Sequence, residues 1–221
     1  MREKNDEPSV SAGSSQAAEL ELASWRRLTA EMYAKVRALS ETDPARAHRE
    51  YCIARDAMFR SHSQSPLGEE ARRRFRGLSY FPYDPAWRLV SPIAPIPAKV
   101  LEITLPEGLI RCRTFATVAV RGSLLTMYWI EGYGGGLFLP FKDLTSGSAT
   151  YGGGRYLYDT IKGADLGAGP ATIVLDFNFS YNPSCAYSPR WVCPLAPREN
   201  ALSFAVEAGE RMEGTINGGL S

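Results

Sequence analysis

The chain has 221 residues, 44% of them hydrophobic, with 25 basic and 24 acidic residues and a formal net charge of +1. That length fits one domain with an appendage and can bury a core without staples. The balanced charge speaks against a nucleic-acid partner, and the absence of any run of roughly 18 apolar residues speaks against a membrane-spanning helix. The opening MREKNDEPSVSAGSSQ has no hydrophobic segment and does not read as a signal peptide. A cytoplasmic protein is therefore expected, with Cys52, Cys112, Cys185 and Cys193 as thiols. A homo-oligomer is compatible with this composition.

Residues 1–15 are small, polar and charged, the pattern of a disordered tail. A helical segment is expected over 16–76, packing on the core. Trp25, Leu28, Met32, Val36 and Leu39 recur at helical spacing and form one apolar stripe. Asp43 followed by Pro44 reads as an N-cap and first helical position, opening a second helix with Tyr51, Ala54 and Met58 inward and an end near His62. Ser65-Pro66 starts a third, short helix that Gly77 closes. Arg72, Arg73, Arg74 and Arg76 follow Glu69 and Glu70 there, which suits a solvated helix face.

After Gly77 the texture changes, and prolines at 82, 85, 92, 95 and 97 favour extended chain. β-rich runs then alternate with turn signals: 100–105, 109–120, 123–130, 137–141, 155–161, 171–181 and 202–209. Strands at this spacing predict an antiparallel barrel or sandwich over 77–210, mainly β, with the helical segment making the whole α+β. The tail 211–221 is polar and Gly-rich. Alternation along 171–181 places Ile173, Leu175, Phe177, Phe179 and Tyr181 on one face. Asp176 and Asn178 then stand side by side on the other, about 7 Å apart by strand rise.

Several mechanisms are excluded. The two histidines, His48 and His62, both lie in the helical segment, so the β region has no base for a Ser–His–Asp or Cys–His site. The glycine triplets 134–136 and 152–154 precede no Lys-Ser or Lys-Thr and have no strand–helix context, so no nucleotide cofactor is implied. Cys185 and Cys193 lack zinc-ligand spacing and are weak metal candidates at best; no cofactor is expected. Acid–base chemistry would have to come from groups such as Asp143, Arg155, Asp159, Asp176, Cys185, Glu199 and Glu210.

The segments FKDLTSGSATYGGGRYL (141–157), LDFNFSYNPSCAYSPRWVCPLAPREN (175–200) and EAGE (207–210) carry a set of motifs. These are Phe-x-Asp-x-Thr-x-Gly, Thr-Tyr-x-x-Gly-Arg-Tyr, Asp-Phe-Asn-x-x-Tyr-Asn-Pro, Cys-Ala-Tyr, Cys-Pro and Pro-x-Glu-Asn. With them the chain resembles, over roughly residues 50 to 210, a bacterial and archaeal family catalogued as domain of unknown function 1684. The resemblance implies a mainly β core and no particular activity. It places the family signature on Asp143, Thr145, Gly147, Tyr151, Gly154, Arg155, Asp176, Asn178, Tyr181, Asn182, Cys185, Cys193, Glu199 and Asn200.

A signature can be structural: Asp143 with Thr145 suits a side-chain-capped turn, and Arg155 could pair with Asp176 or Glu199 to stitch loops together. A loop this rich in polar and aromatic groups also suits a pocket. The leading expectation is a small-molecule-binding β domain whose pocket is lined by Arg155, Asp176, Asn178, Tyr151, Tyr181, Tyr187 and Trp191, taking an anionic or carbonyl-bearing ligand. One alternative is a cofactor-independent cyclase, hydrolase or isomerase in the same pocket, with Asp143, Asp176 or Glu199 as acid or base. Another is a structural or interaction module that packs its helical segment on a partner.

Overall fold

The computed structural model describes residues 12–105 and 108–212. Most of the tails expected at 1–15 and 211–221 therefore lies outside the described residues. Two long helices come first, α1 (Ala12–Ser40) and α2 (Pro44–Ser61). Between them the Asp43 carboxylate accepts the backbone N–H of Arg46 at 2.9 Å, and Pro44 occupies the first turn, where its missing donor costs nothing. On α1 the inward face is Met32, Tyr33 and Val36, and Leu28 is largely exposed. The short α3 (Glu69–Arg74) starts after Gly68 and buries nothing. Its arginines pair outward, Arg74 with Glu70 at 2.6 Å, as a solvated face should.

All strand pairing is antiparallel. The main sheet contains β2 (Ala94–Pro95), β3 (Val100–Leu105), β4 (Gly108–Val120), β5 (Ser123–Ile130), β6 (Gly136–Phe141) and β7 (Arg155–Asp159). β2 and β3 share the outer edge of β4, and the order then runs β4-β5-β6-β7. A second, two-stranded ladder joins β1 (Arg88–Pro92) to β8 (Thr172–Asp176). The sheets are open, so the fold is α+β with sandwich-like antiparallel sheets, and no barrel closes.

A bulge in β4 between Thr114 and Ala116 lets one long strand serve two cores. Before it, Cys112 packs with Tyr128, Phe138 and Tyr156 on one side of the sheet. After it, Ala116, Val118 and Val120 face the main core of β5–β8, α1 and α2.

Two expected strands are altered. The run 171–181 is a strand only as far as Asp176. There the Asp176 carboxylate accepts the Asn178 backbone N–H at 3.2 Å and caps a 3-10 turn, Phe177–Phe179, so alternation stops and 176–180 are all buried. The expected strand at 202–209 does not form. Its backbone bonds singly and irregularly, with Leu202 N–H to Lys142 at 2.8 Å and Gly209 C=O to Phe81 at 2.9 Å.

Candidate functional site

Three polar knots hold the β core; all three use residues of the family signature, and the first two use residues of the expected site. Arg155, at the start of β7, is the largest fully buried side chain. Its Nη2 donates to Asp143 Oδ2 at 2.9 Å and to Val206 O at 2.8 Å; its Nη1 donates to Ala208 O and, at 3.3 Å, to Glu210 O. The pairing expected with Asp176 or Glu199 is not formed. Asp143 reaches Arg155 because its other oxygen caps the turn 143–150, accepting Thr145 N–H at 2.7 Å and Thr145 Oγ1 at 2.6 Å. Gly154 makes the approach possible: it has positive φ, and a Cβ there would strike the Phe141 carbonyl. Burial pushes the Arg155 pKa down, and the adjacent Asp143 carboxylate pulls against that shift.

Asp176 and Asn178 form the second knot. They do not share an open face. Asn178 Nδ2 donates to Asp176 Oδ1 at 2.8 Å and to Asp84 O at 2.9 Å, and Asn178 Oδ1 accepts Asp84 N–H at 3.0 Å. Arg88 Nη1 lies 3.3 Å from Asp176 Oδ2. Burial still holds the Asp176 pKa above its ordinary value. The third knot is Asn200, whose amide bridges Thr126 and Pro140 on β5 and β6. Its neighbour Glu199 is exposed and accepts the Tyr128 hydroxyl at 2.8 Å. None of Asp143, Arg155, Asp176, Asn178 and Glu199 lines the open space described next.

That space is a cleft of about 80 Å³ at the seam where α1 and α2 meet the end of the sheet. Trp25, Met32 and Tyr33 come from α1; Arg55, Met58 and Phe59 from α2; Tyr156 and Asp159 from β7. Lys162 and the loop Tyr181, Asn182, Pro183, Ser184 and Tyr187 close it. Of the expected site residues, Tyr181 and Tyr187 are here.

Arg55 organises the seam. Its Nη2 donates to Glu210 Oε2 at 2.8 Å and its Nε to Tyr80 Oη at 3.2 Å, and its guanidinium lies 5.1 Å from the ring centres of both Phe59 and Tyr181. Glu210, fully buried, also accepts the Asn182 backbone N–H at 2.9 Å and the Tyr187 hydroxyl. Burial raises the Glu210 pKa, while Arg55 draws it back. For Arg55 burial works against the charge, but Tyr51 and Glu210 outweigh it and its pKa rises. At the cleft, the Asn182 side chain donates weakly through Nδ2 to Arg211 O at 3.4 Å, and its buried Oδ1 has no partner among the described residues. Charge is balanced: Lys162 Nζ stands 3.4 Å from Asp159 Oδ2, as Arg55 stands on Glu210.

Behind the loop lies a smaller thiol site. Tyr151 Oη donates to Cys185 Sγ at 3.6 Å, and the Cys193 thiol lies near enough to act on Cys185. Cys193 is the largest influence holding the Cys185 pKa down, to about 6, and Cys185 in turn pushes Cys193 up. Burial, and then the Cys185 contact, push Tyr151 up to about 12. Trp191 and Cys193 line a second hollow of about 120 Å³ that shares Trp25, Lys162 and Ser184 with the cleft. Among the described residues no three His, Cys, Asp or Glu side chains converge as a metal site. No described helix is long and apolar enough to cross a membrane.

A family model described as "Protein of unknown function (DUF1684)" matches residues 73–211, which include every knot named above. The chain belongs to the DUF1684 family. The match starts at 73 rather than near 50, so the DUF1684 unit supplies the β core and the loop wall, and α1 and α2 bring the remaining wall to it. Among solved structures, the chain is similar to an uncharacterized protein of Haloarcula marismortui determined by solution NMR. The two are 32% identical, with 74% of this chain and 91% of that one covered and a TM-score of 0.54. No curated protein matches the chain.

Arg55, Trp25, Tyr156 and Lys162 are absent from the sequence-based site. Three of them lie in helical or 3-10 segments that periodicity assigns to packing or solvent. Arg55 lies before residues 73–211, the span that the family model matches, and helical spacing gives it no role of its own.

Proposed function

We propose that the protein binds a small organic ligand in the cleft between its helical pair and its β core. The observation that carries this reading is the unpartnered, buried Asn182 Oδ1 at an aromatic-walled opening. Buried polar atoms are almost always paired, so a lone acceptor beside open space suits a ligand that donates a hydrogen bond. Trp25, Tyr33, Phe59, Tyr156, Tyr181 and Tyr187 offer flat apolar walls. With Arg55 and Lys162 each neutralised by a carboxylate, the cleft favours an uncharged or zwitterionic ligand over an anion. The enclosed volume suits one small ring, with further substituents in the mouth. Four free thiols agree with a cytoplasmic setting.

The test is a thermal-shift screen of small neutral ring compounds that bear amide or hydroxyl donors. Hits are confirmed by the fluorescence of Trp25 and repeated on Ser184→Phe, which fills the mouth without touching the Arg55–Glu210 pair. A true ligand at one hundred times its Kd adds about 2.7 kcal/mol of stability. That gain should vanish in Ser184→Phe. Hits that stabilise both proteins equally bind elsewhere and overturn the reading.

A further inference from the structure

We propose that Cys185 and Cys193 are a peroxide-responsive dithiol, a modification site that closes to an intramolecular disulfide and pins the loop forming one wall of the cleft. The geometry carries this. Cys193 lines the second hollow together with Ser184, the residue next to Cys185; the two thiols, seven intervening residues apart, act directly on each other, and both are half-buried rather than sealed. Tyr151 Oη points at Cys185 Sγ from 3.6 Å, where it can hold a thiolate or stabilise charge on it. Lys162, on the shared wall of both hollows and paired with Asp159, adds only the smallest pull on the Cys185 pKa.

The other two cysteines show what is special here. Cys112 is buried among Tyr128, Phe138 and Tyr156. Cys52 sits on α2 against His48, and its burial pushes its pKa up to about 12. Among the described residues neither has a second thiol beside it, and for Cys52 the His48 ring nitrogen at 3.6 Å does not offset burial. Cys185 has a second thiol and the Tyr151 hydroxyl beside it, and its pKa is lowered to about 6, which favours the reactive thiolate.

The chemistry balances with a hydroperoxide as the oxidant. The Cys185 thiolate attacks the terminal peroxide oxygen; an S–O bond forms, the O–O bond breaks, and the leaving hydroxide or alkoxide takes a proton. Cys185 is then a sulfenic acid. The sulfur of Cys193 attacks it, the S–O bond breaks as the S–S bond forms, and the departing hydroxide takes the Cys193 proton as water. With hydrogen peroxide, two thiols and one peroxide become one disulfide and two waters. The step does not depend on the cleft being a ligand site. Ser184, next to Cys185, lines both hollows, so a disulfide at Cys185 fixes the wall between them.

The experiment uses the full chain, reduced and freed of reductant, exposed to a small molar excess of hydrogen peroxide. Thiols are then alkylated and mapped by mass spectrometry. Alkylatable cysteines should fall from the four free in the structure to two. Cys185 and Cys193 should appear as one cross-linked pair, and reductant should restore all four. Cys185→Ser should slow thiol loss by at least about tenfold, and Cys193→Ser should leave a Cys185 sulfenic acid that dimedone captures. The proposal is overturned if the wild-type chain keeps four alkylatable thiols under peroxide that oxidises a small-molecule thiol. It is also overturned if the link forms between two chains or involves Cys52 or Cys112. The wild-type map decides the matter even where a serine variant folds poorly.

Discussion

Two buried arginines make contact with the same C-terminal segment and do different work. Arg155 has its charge spread over one carboxylate and three backbone carbonyls, with no surface left. Arg55 has one carboxylate, one hydroxyl and the faces of aromatic rings, and it forms part of the cleft wall. Residue type and burial are alike. The difference lies in what meets the two terminal nitrogens: backbone at Arg155 makes a lock, with its Nε left without a partner among the described residues, and side chains at Arg55 make a surface that another molecule can touch. An arginine embedded in a dense motif is therefore no pointer to a ligand until its donors have been counted.

The largest effect should come from removing the lock. Arg155→Met leaves Asp143 as a buried, unpaired carboxylate and strips three carbonyls of their donor, a loss of about 4 kcal/mol in urea unfolding. A loss below about 1 kcal/mol would mean that Arg155 is not the pin described.

Acid should loosen the helical seam through His48. This residue is packed among Tyr51, Tyr80, Tyr83 and Phe179, and burial lowers its pKa from 6.5 to about 4. The unfolded chain takes up the proton first, so stability from neutral His48 is complete above pH 6.5 and is lost as pH falls toward 4. The full window is worth about 3 kcal/mol. Stability measured against pH for wild type and His48→Gln should therefore converge at the acid end. Parallel curves would remove His48 from the account.

The smallest effect should be Tyr187→Phe. It deprives Glu210 of one donor while Arg55 and Asn182 remain, a cost of about 2 kcal/mol. The phenol also borders the cleft, so ligand affinity should fall in this variant more than Tm does. Equal ligand binding with the same loss of stability would make Tyr187 a second lock and erase the contrast with Arg155.

Much of the fold was legible because it obeys local rules. The strands at 100–105 and 109–120 alternate as a half-buried sheet must, those at 123–130 and 137–141 are apolar runs between turn signals, and Asp43-Pro44 announces α2. The failures are long-range. Residues 202–209 have a strand's composition, but the carbonyls of 206 and 208 are taken by the Arg155 guanidinium, a partner 51 to 53 positions away. Asp176 ends β8 because its own side chain caps the next turn. At the site, the capped turn at Asp143–Thr145 could be read from spacing, whereas Arg55 could not, because a stripe of apolar residues has no place for a buried cation.

The Arg55–Glu210 bond spans 155 residues of sequence, and Arg211 N–H closes on Ser79. By contrast, the α1–α2 pair and the β3–β4–β5 hairpins are each complete within a few dozen residues. During synthesis those local units can form as they leave the ribosome, yet Arg55 has no counter-ion until the segment around 210 emerges. A ribosome stalled before that point would hold a chain with a formed sheet and an open seam. Closure of the seam thus follows passage of the last pin of the core through the ribosome.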